Sequence, residues 1–327
     1  MKNNLFKNKR ILIVGGTGSW GYCLTKKLLN LEPSQIVIFS RNEFNQVKMA
    51  RFYNNNKLKF IIGDVRDFEA INNACKNIDM VFHLGALKHV ILCEKFPNEA
   101  IKTNIIGTEN VIKASINNNI KRVIDVSSDK ACEPVQVYGA TKLIGERLII
   151  HASTSQSNTK FMVIRSGNVL GSAGSILEFW INHAKNKKAI PLTNPSMTRY
   201  FLTLSQAIDL LFVAINSDIN GGKFVMKMPA LKLINLAEVI NEYYNNKAGV
   251  KIIGIKQGEK IHESLVSKHE SLNTFIYNDN YYLIMDNPTH DTVNYYKKVT
   301  FKEYNSATNL MTKEEIKELL KRGGYLK

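Results

Sequence analysis

Short, nearly continuous apolar runs recur through the first half of the chain. They fall at residues 10–14, 35–39, 58–62, 80–84, 123–126 and 161–165, each closed by glycine, serine or another small or polar residue. A run of that length without strict alternation is the mark of a strand buried on both faces. Between the runs lie stretches of helical spacing at 22–31, 68–75 and 98–117, and a further helix carries Tyr138 and Lys142. Regular alternation of the two patterns predicts an α/β fold with a doubly wound parallel sheet over residues 1–170.

Beyond Gly171 the pattern loosens. Helical spacing at 175–185, 205–216 and 235–244 is interleaved with short strands at 189–192, 223–228 and 251–255. This predicts a smaller C-terminal substrate-binding lobe, mostly within 171–327, from which segments return to the first domain. In the tail, Thr312 followed three residues later by Glu315 predicts a capping box opening a last helix.

Composition narrows the class. The chain has 327 residues, 44% of them hydrophobic, enough for a large core. No apolar run approaches the roughly 20 residues that span a bilayer, so no membrane association is expected. The N-terminus passes straight from a few cations into the first strand, which argues against a leader peptide. Four cysteines without CxxC spacing fit free thiols in a reduced, cytoplasmic setting. The formal charge of +16 raises the question of nucleic acid. Its lysines are scattered, however, and no basic helix, Cys/His finger or aromatic RNA-binding signature accompanies them. A solvated basic surface is the expected reading, with no nucleic-acid partner. No metal-ligand cluster is expected.

The first strand runs into Gly15-Gly16-Thr17-Gly18-Ser19-Trp20-Gly21 and then a helix. Strand, glycine loop and helix in this order form a dinucleotide site. Gly15 allows the tight turn, Gly18 admits the pyrophosphate, and Gly21 lets helix and strand pack closely. The second strand ends in Ser40-Arg41, where an acidic residue would hold a ribose 2′-hydroxyl. A hydroxyl and an arginine suit a 2′-phosphate, so NADP is favoured, with NAD as the alternative. Asp64, after the third strand, faces the adenine in this reading, and Asp67 serves as a helix N-cap.

The chemistry centres on 122–147. A strand releases Ser127, Ser128, Asp129 and Lys130, and the helix that follows carries Tyr138 and Lys142 on one face. A tyrosine is a weak base at its ordinary pKa near 10. A lysine one turn away and a positive nicotinamide both favour its phenolate, which makes Tyr138 a base for hydride transfer. Asp129 and Lys130 add a second acid–base pair. Once a sugar carbinol is oxidised to a ketone, Lys130 as base removes the acidified neighbouring proton. Asp129 as acid then protonates the departing hydroxyl. Return of the hydride completes a dehydration with no net redox change.

Together these residues resemble the extended short-chain dehydrogenase/reductase superfamily, and within it the UDP-N-acetylglucosamine 4,6-dehydratases of bacterial surface-sugar synthesis, especially the pseudaminic-acid type. The matching stretches include 15–19, 39–41, 62–67, 86–90, 102–104, 128–131, 138–142, Arg165 with 167–169, 197–199, 258–260 and 262–263. The resemblance implies a Rossmann-type fold and a catalytic set of Ser128, Asp129, Lys130, Tyr138 and Lys142. Cofactor contacts would come from Gly15, Thr17, Gly18, Ser19, Trp20, Gly21, Ser40, Arg41, Asp64, Val65, Ala86, Lys88, Tyr138 and Lys142. Lys88, Asn168, Arg199, Glu259 and His262 would bind the UDP-sugar, with Asn168 and Arg199 at its diphosphate. A homo-oligomer is expected by the same analogy. Gly85 and Cys132-Glu133 depart from the family pattern, and Cys132 adjoins the site. Inversion and retention at carbon 5 both stay open. The alternatives are a dehydratase or epimerase for another nucleotide sugar, such as UDP-glucose, and a non-catalytic NADP-binding module. An epimerase would have no need of Asp129 and Lys130.

Overall fold

A computed structural model describes residues 5–172 and 174–326. The apolar runs form the centre of a nine-stranded sheet. Its order from one edge is Thr274–Asn278, Tyr281–Met285, Gly222–Met226, Lys160–Ser166, Arg122–Ser128, Met80–His83, Arg10–Val14, Gln35–Ser40 and Leu58–Ile62. Tyr281–Met285 pairs antiparallel with both of its neighbours, and the other strands run together. Strand order reverses between Arg10–Val14 and Met80–His83, the topological switch point where open α/β sheets bind ligands.

Each face of the sheet has its own core. One packs Leu12, Val14, Val81, Val123 and Val163 beneath Phe68–Ala74, Gly107–Asn117 and Val137–Ala152. The other sets Ile11, Ile13, Ile124 and Ile164 against Ser19–Leu29 and Leu204–Asn216. A third core, built on Trp180, Leu192, Phe201, Leu236 and Leu320, joins Ile176–Lys185, Leu233–Tyr243 and Lys313–Arg322. That core belongs to the second half of the chain. The same half also returns three strands to the main sheet.

Local signals account for several boundaries. The Asp67 carboxylate accepts from Ala70 N at 3.1 Å, so the predicted N-cap forms. Thr312 and Glu315 make the predicted capping box. The 98–117 stretch is interrupted, however. Pro97–Ile101 leads into a wide π-type turn at Lys102–Ile106 before Gly107–Asn117 resumes the α-helix. Helix Glu43–Tyr53, capped by Asn42, has only Gln46 and Met49 buried. Its apolar stripe is too thin to stand out in the sequence. Strands Thr198–Leu202, Ser264–Val266, Thr274–Asn278 and Tyr281–Met285 also gave no clear sequence pattern. Among the described residues no helix is long and apolar enough to cross a membrane, and no cluster of His, Cys, Asp and Glu could hold a metal ion.

Candidate active site

The glycine loop leaves the first strand at the switch point. Gly15 has φ +75°, and a Cβ there would lie 2.7 Å from the backbone of Gly85. At Gly21 a Cβ would lie 1.9 Å from Gly16 O, so helix Ser19–Leu29 sits directly on the loop. Gly18 is exposed and is the N-cap of that helix, without a side-chain cap. A helix N-terminus without a side-chain cap, at the end of a glycine turn, suits an anion such as a pyrophosphate. Thr17, Ser19 and Trp20 lie partly covered around the same turn. At Gly85 a Cβ would meet nothing closer than 3.4 Å, so this departure from the family pattern leaves the turn unaltered.

At the end of the second strand, the buried amide of Gln46 donates to Ser40 Oγ and Ser40 O, both at 3.0 Å, and to Ile61 O at 2.7 Å. Ser40 is thereby fixed against the third strand. Arg41 is exposed and turns to Asp64 at 3.6 Å, not to Glu43. Asp64 also accepts from Arg66 N at 3.0 Å and Arg66 Nε at 2.8 Å. Desolvation opposes these donors, but they hold the Asp64 carboxyl below its ordinary value. Val65 is buried behind it, and Asn110 Nδ2 donates to Val65 O at 2.8 Å.

The π-type turn gives Asn104 its place. Its Oδ1 accepts from Leu87 N at 2.8 Å, and its Nδ2 donates to Leu87 O at 3.0 Å and to Thr141 Oγ1 at 3.0 Å. One buried amide thus joins the 85–88 loop, carrying Ala86 and Lys88, to the helix of Tyr138 and Lys142. Lys88 feels the Glu178 carboxylate from the second half of the chain, and its ammonium is held below its ordinary pKa by desolvation.

Strand Arg122–Ser128 runs to the same point. Ser128 Oγ accepts from Lys130 N at 3.3 Å and donates to Asp129 Oδ1 at 2.8 Å. Lys130 Nζ donates to Asp129 Oδ1 at 3.0 Å and to Asn168 Oδ1 at 3.3 Å. Asp129 is fully buried, and its Oδ2 has no hydrogen-bond partner among the described residues. A second carboxylate, Glu263, approaches Lys130 at 3.9 Å and Arg199 Nε at 3.8 Å. Burial pushes the Glu263 carboxyl up, against the pull of Lys130. The Ser128 hydroxyl faces that of Tyr138. Burial of the Tyr138 hydroxyl raises its pKa and Ser128 lowers it, while the charges of Asp129 and Asp125 add to the rise. Lys142 shares the helix face of Tyr138, but its ammonium donates to Asp125 Oδ2 at 3.1 Å.

The remaining sites sit less closely. Arg199 Nη1 donates to Thr198 O at 2.7 Å and Ile261 O at 3.1 Å, and Nη2 donates to Lys260 O at 2.9 Å. Its guanidinium braces the 260–261 segment beside Lys130. His262 is exposed, with Nδ1 2.8 Å from Thr198 Oγ1. Glu259 Oε2 accepts from Lys256 N at 3.0 Å and closes its own turn. Cys132 is buried, donates weakly to Glu270 at 3.7 Å, and has its thiol pKa raised by burial. It is a packed thiol, not an accessible nucleophile.

Sequence reasoning assigned no role to Asp125, Gln46 or Asn104, and it placed Glu263 only within a motif. An acid inside an otherwise apolar strand was the available signal for Asp125. Asn104 lay within the matching stretch 102–104, and Gln46 carried no signal, because its bonds to Ser40 and Ile61 arise only when the helix packs on the strands.

The comparisons agree with this architecture. The family model described as polysaccharide biosynthesis protein matches residues 11–285. A Campylobacter jejuni protein named UDP-N-acetylglucosamine 4,6-dehydratase (inverting) is 43% identical over 86% of this chain and 84% of its own length. A Rickettsia rickettsii protein named UDP-glucose 4-epimerase is 40% identical over 97% of this chain and 96% of its own. The X-ray structure of Pen from Bacillus thuringiensis superposes with a TM-score of 0.93 at 37% identity, covering 99% of this chain and 100% of that one. DesIV, a dTDP-glucose 4,6-dehydratase from Streptomyces venezuelae solved with NAD and TYD, shares the fold with a TM-score of 0.71 at 16% identity, over 77% of this chain and 86% of that one. By the extent of the family match and the identity to these relatives, the chain belongs to the polysaccharide biosynthesis protein family, whose named members here include nucleotide-sugar dehydratases and epimerases.

Proposed function

We propose that the chain is a hydro-lyase converting UDP-N-acetylglucosamine to a UDP-4-keto-6-deoxy-N-acetylhexosamine for surface-glycan synthesis. The observation that carries this reading is the convergence of Asp129, Lys130 and Tyr138 around Ser128, with Asp129 Oδ1 3.0 Å from Lys130 Nζ. Two acid–base systems in one small volume exceed what epimerisation requires.

The glycine loop fits a dinucleotide pyrophosphate, and Ser40 with the exposed Arg41 fits a 2′-phosphate. NADP is therefore the cofactor we propose, with NAD as the alternative. Bound, it supplies a reversible hydride acceptor. Tyr138 takes the proton of the C4 hydroxyl. Lys130 removes the C5 proton once C4 is a ketone, and Asp129 delivers a proton to the C6 hydroxyl as it leaves. Burial beside two carboxylates orients the Lys130 amine, and Ser128 holds Asp129 in place. Lys88, Asn168, Arg199, Glu259 and His262 are the proposed UDP-sugar side. Of these, Asn168 directly adjoins Lys130, while Arg199 acts at the diphosphate only by exchanging backbone carbonyls for phosphate. Residues 1–170 then form the cofactor domain, and 171–327 mostly the nucleotide-sugar lobe.

Leu92, Phe96, Ile101, Ile106 and Ile144 are exposed on neighbouring helices. This apolar surface supports a homo-oligomer. We place the enzyme in the cytoplasm, where its free thiols stay reduced.

The test is incubation of the purified protein with UDP-N-acetylglucosamine in deuterated water, followed by mass spectrometry and proton NMR. Loss of one water with deuterium at C5 is expected, and the couplings at that carbon report inversion or retention. Interconversion of UDP-glucose and UDP-galactose without water loss would instead establish the epimerase reading that the Rickettsia relative favours. Cofactor binding without turnover of either sugar would leave a non-catalytic binding module.

A further inference from the structure

Asp125 is a carboxylate within the apolar layer between sheet and helix. It lies on strand Arg122–Ser128 with 1% exposure, on the face that carries Val123. Lys142, from helix Val137–Ala152, is 2% exposed and donates to both carboxylate oxygens, at 3.1 and 3.5 Å. Behind the pair stands His83 from the adjacent strand, its Nε2 3.9 Å from Asp125 Oδ1 and 3.1 Å from Thr108 Oγ1. Thr108 Oγ1 donates to Asn104 O at 2.8 Å, so the network assigns the His83 proton to Nε2, and Thr108 accepts it. His83 Nδ1 is buried without a partner among the described residues. The imidazole is therefore neutral, with its pKa depressed to about 3 by burial and by the Lys142 charge.

We propose that Asp125 is a positioning residue that sets the basicity of Tyr138 by neutralising Lys142. The proposal rests on the reading of Tyr138 as the hydride-transfer base. A lysine assists phenolate formation through its positive field. Here a carboxylate at hydrogen-bond distance cancels most of that field. Tyr138 is thus kept a poor base in the free enzyme and becomes competent when a bound cofactor adds positive charge, with Asp125 still holding Lys142. Hydride chemistry is in this way confined to the loaded site.

The other ionisable groups facing this unit are few. On the helix of Lys142 they are Tyr138 and Glu146, whose charge opposes ionisation of Asp125. Cys93, from helix Val90–Lys95, and Asp129, after the strand, both act on Tyr138. His83 completes the set. Burial raises the Asp125 carboxyl, and the Lys142 ammonium counters it, as a tight internal pair requires.

Asp125→Asn keeps the size and one acceptor for Lys142 but removes the negative charge. Two readouts on the holoenzyme test the proposal, with the melting temperature recorded for each variant. The first is the ultraviolet difference titration of phenolate, with Tyr138→Phe as the subtraction, which needs no turnover. The second is the pH profile of kcat/KM with UDP-N-acetylglucosamine. The expected result is a fall of about one pH unit or more in the Tyr138 ionisation and in the acidic limb of the profile. An unmoved Tyr138 ionisation in a folded, cofactor-loaded Asp125→Asn protein overturns the proposal, even if its melting temperature falls. Asp125→Ala gives the same discrimination should the asparagine variant not fold. If the parent turns over no sugar, the proposed activity fails, while the phenolate titration still decides the role of Asp125.

Discussion

Arg165 and Glu270 lie 105 positions apart in the chain and meet in its interior through two hydrogen bonds, of 2.7 and 2.9 Å. Arg165 also donates to both oxygens of Glu146, at 3.0 and 2.6 Å, and Lys223 donates to Glu270 at 3.0 Å. The side chains of Arg165, Glu146 and Lys223 are wholly buried. This network ties the helix of Tyr138 and Lys142 to the sheet and to the segment after Val266. It gives the active-site helix a fixed seat without placing another side chain in the cleft.

Arg165→Met should therefore destabilise strongly. Glu146 and Glu270 would be left as buried charges with only Lys223 to answer them, a change that typically costs about 3–5 kcal/mol. Chemical denaturation should show a lowered midpoint. Arg165→Lys should recover only part, because an ammonium cannot satisfy two carboxylates in forked geometry.

Asn104→Ala should act on catalysis more than its distance from Asp129 and Lys130 suggests. It removes the side-chain acceptor of Leu87 N–H, leaves the Leu87 carbonyl only the weak Cys93 thiol at 3.7 Å, and cuts the link to Thr141, whose hydroxyl keeps Tyr138 O. The 85–88 loop can then drift from the catalytic helix, and displacement of about 1 Å can cost on the order of 100-fold in rate. Steady-state kinetics should show kcat/KM reduced about 10- to 100-fold. An unchanged value would mean that the loop is held by other contacts.

His83 predicts acid sensitivity. Its folded pKa is near 3, below the roughly 6.5 of an unfolded histidine. Between those values the unfolded chain binds the extra proton, so stability rises with pH there and falls on acidification. The slope from this group alone is at most about 1.4 kcal/mol per pH unit. Glu270 acts in the same direction at lower pH. Burial raises its carboxyl, but Arg165 and Lys223 outweigh burial and hold it far below the ordinary value. Its contribution is full above about pH 4.3 and is lost as pH falls below that. Urea midpoints measured from pH 7 downward should fall first in the His83 window. His83→Gln should flatten that first fall alone.

Arg41→Ala should weaken binding of NADP and leave NAD nearly unaffected. Loss of one charge-assisted contact corresponds to roughly 10- to 100-fold in Kd. Calorimetric titration of cofactor-free protein with each dinucleotide decides the matter. Equal losses for both would mean that Arg41 serves only to hold Asp64.

Much of this protein is written in local pattern. The alternation of buried runs and helical stretches determined the parallel sheet. Gly15, Gly18 and Gly21 marked the tight turn between first strand and first helix, and Asp67 and Thr312 marked helix starts. Each is a signal whose physical cause acts within a few residues. Ser128, Asp129 and Lys130 could be placed beside Tyr138 because a strand end, one short turn and one helix connect them.

Tertiary structure alone decided what those groups face. Lys142 shares a helix face with Tyr138, yet a carboxylate seventeen positions earlier holds its ammonium. Glu263 reaches Lys130 from the far half of the chain, and Arg199 meets the 260–261 backbone. The last strands of the sheet carry no strong pattern, and their places are set by antiparallel pairing at its edge. Spacing fixes which residues share an element, because a helix or strand has one repeat. The charge a residue experiences depends on neighbours brought together by packing, and chain distance does not encode them.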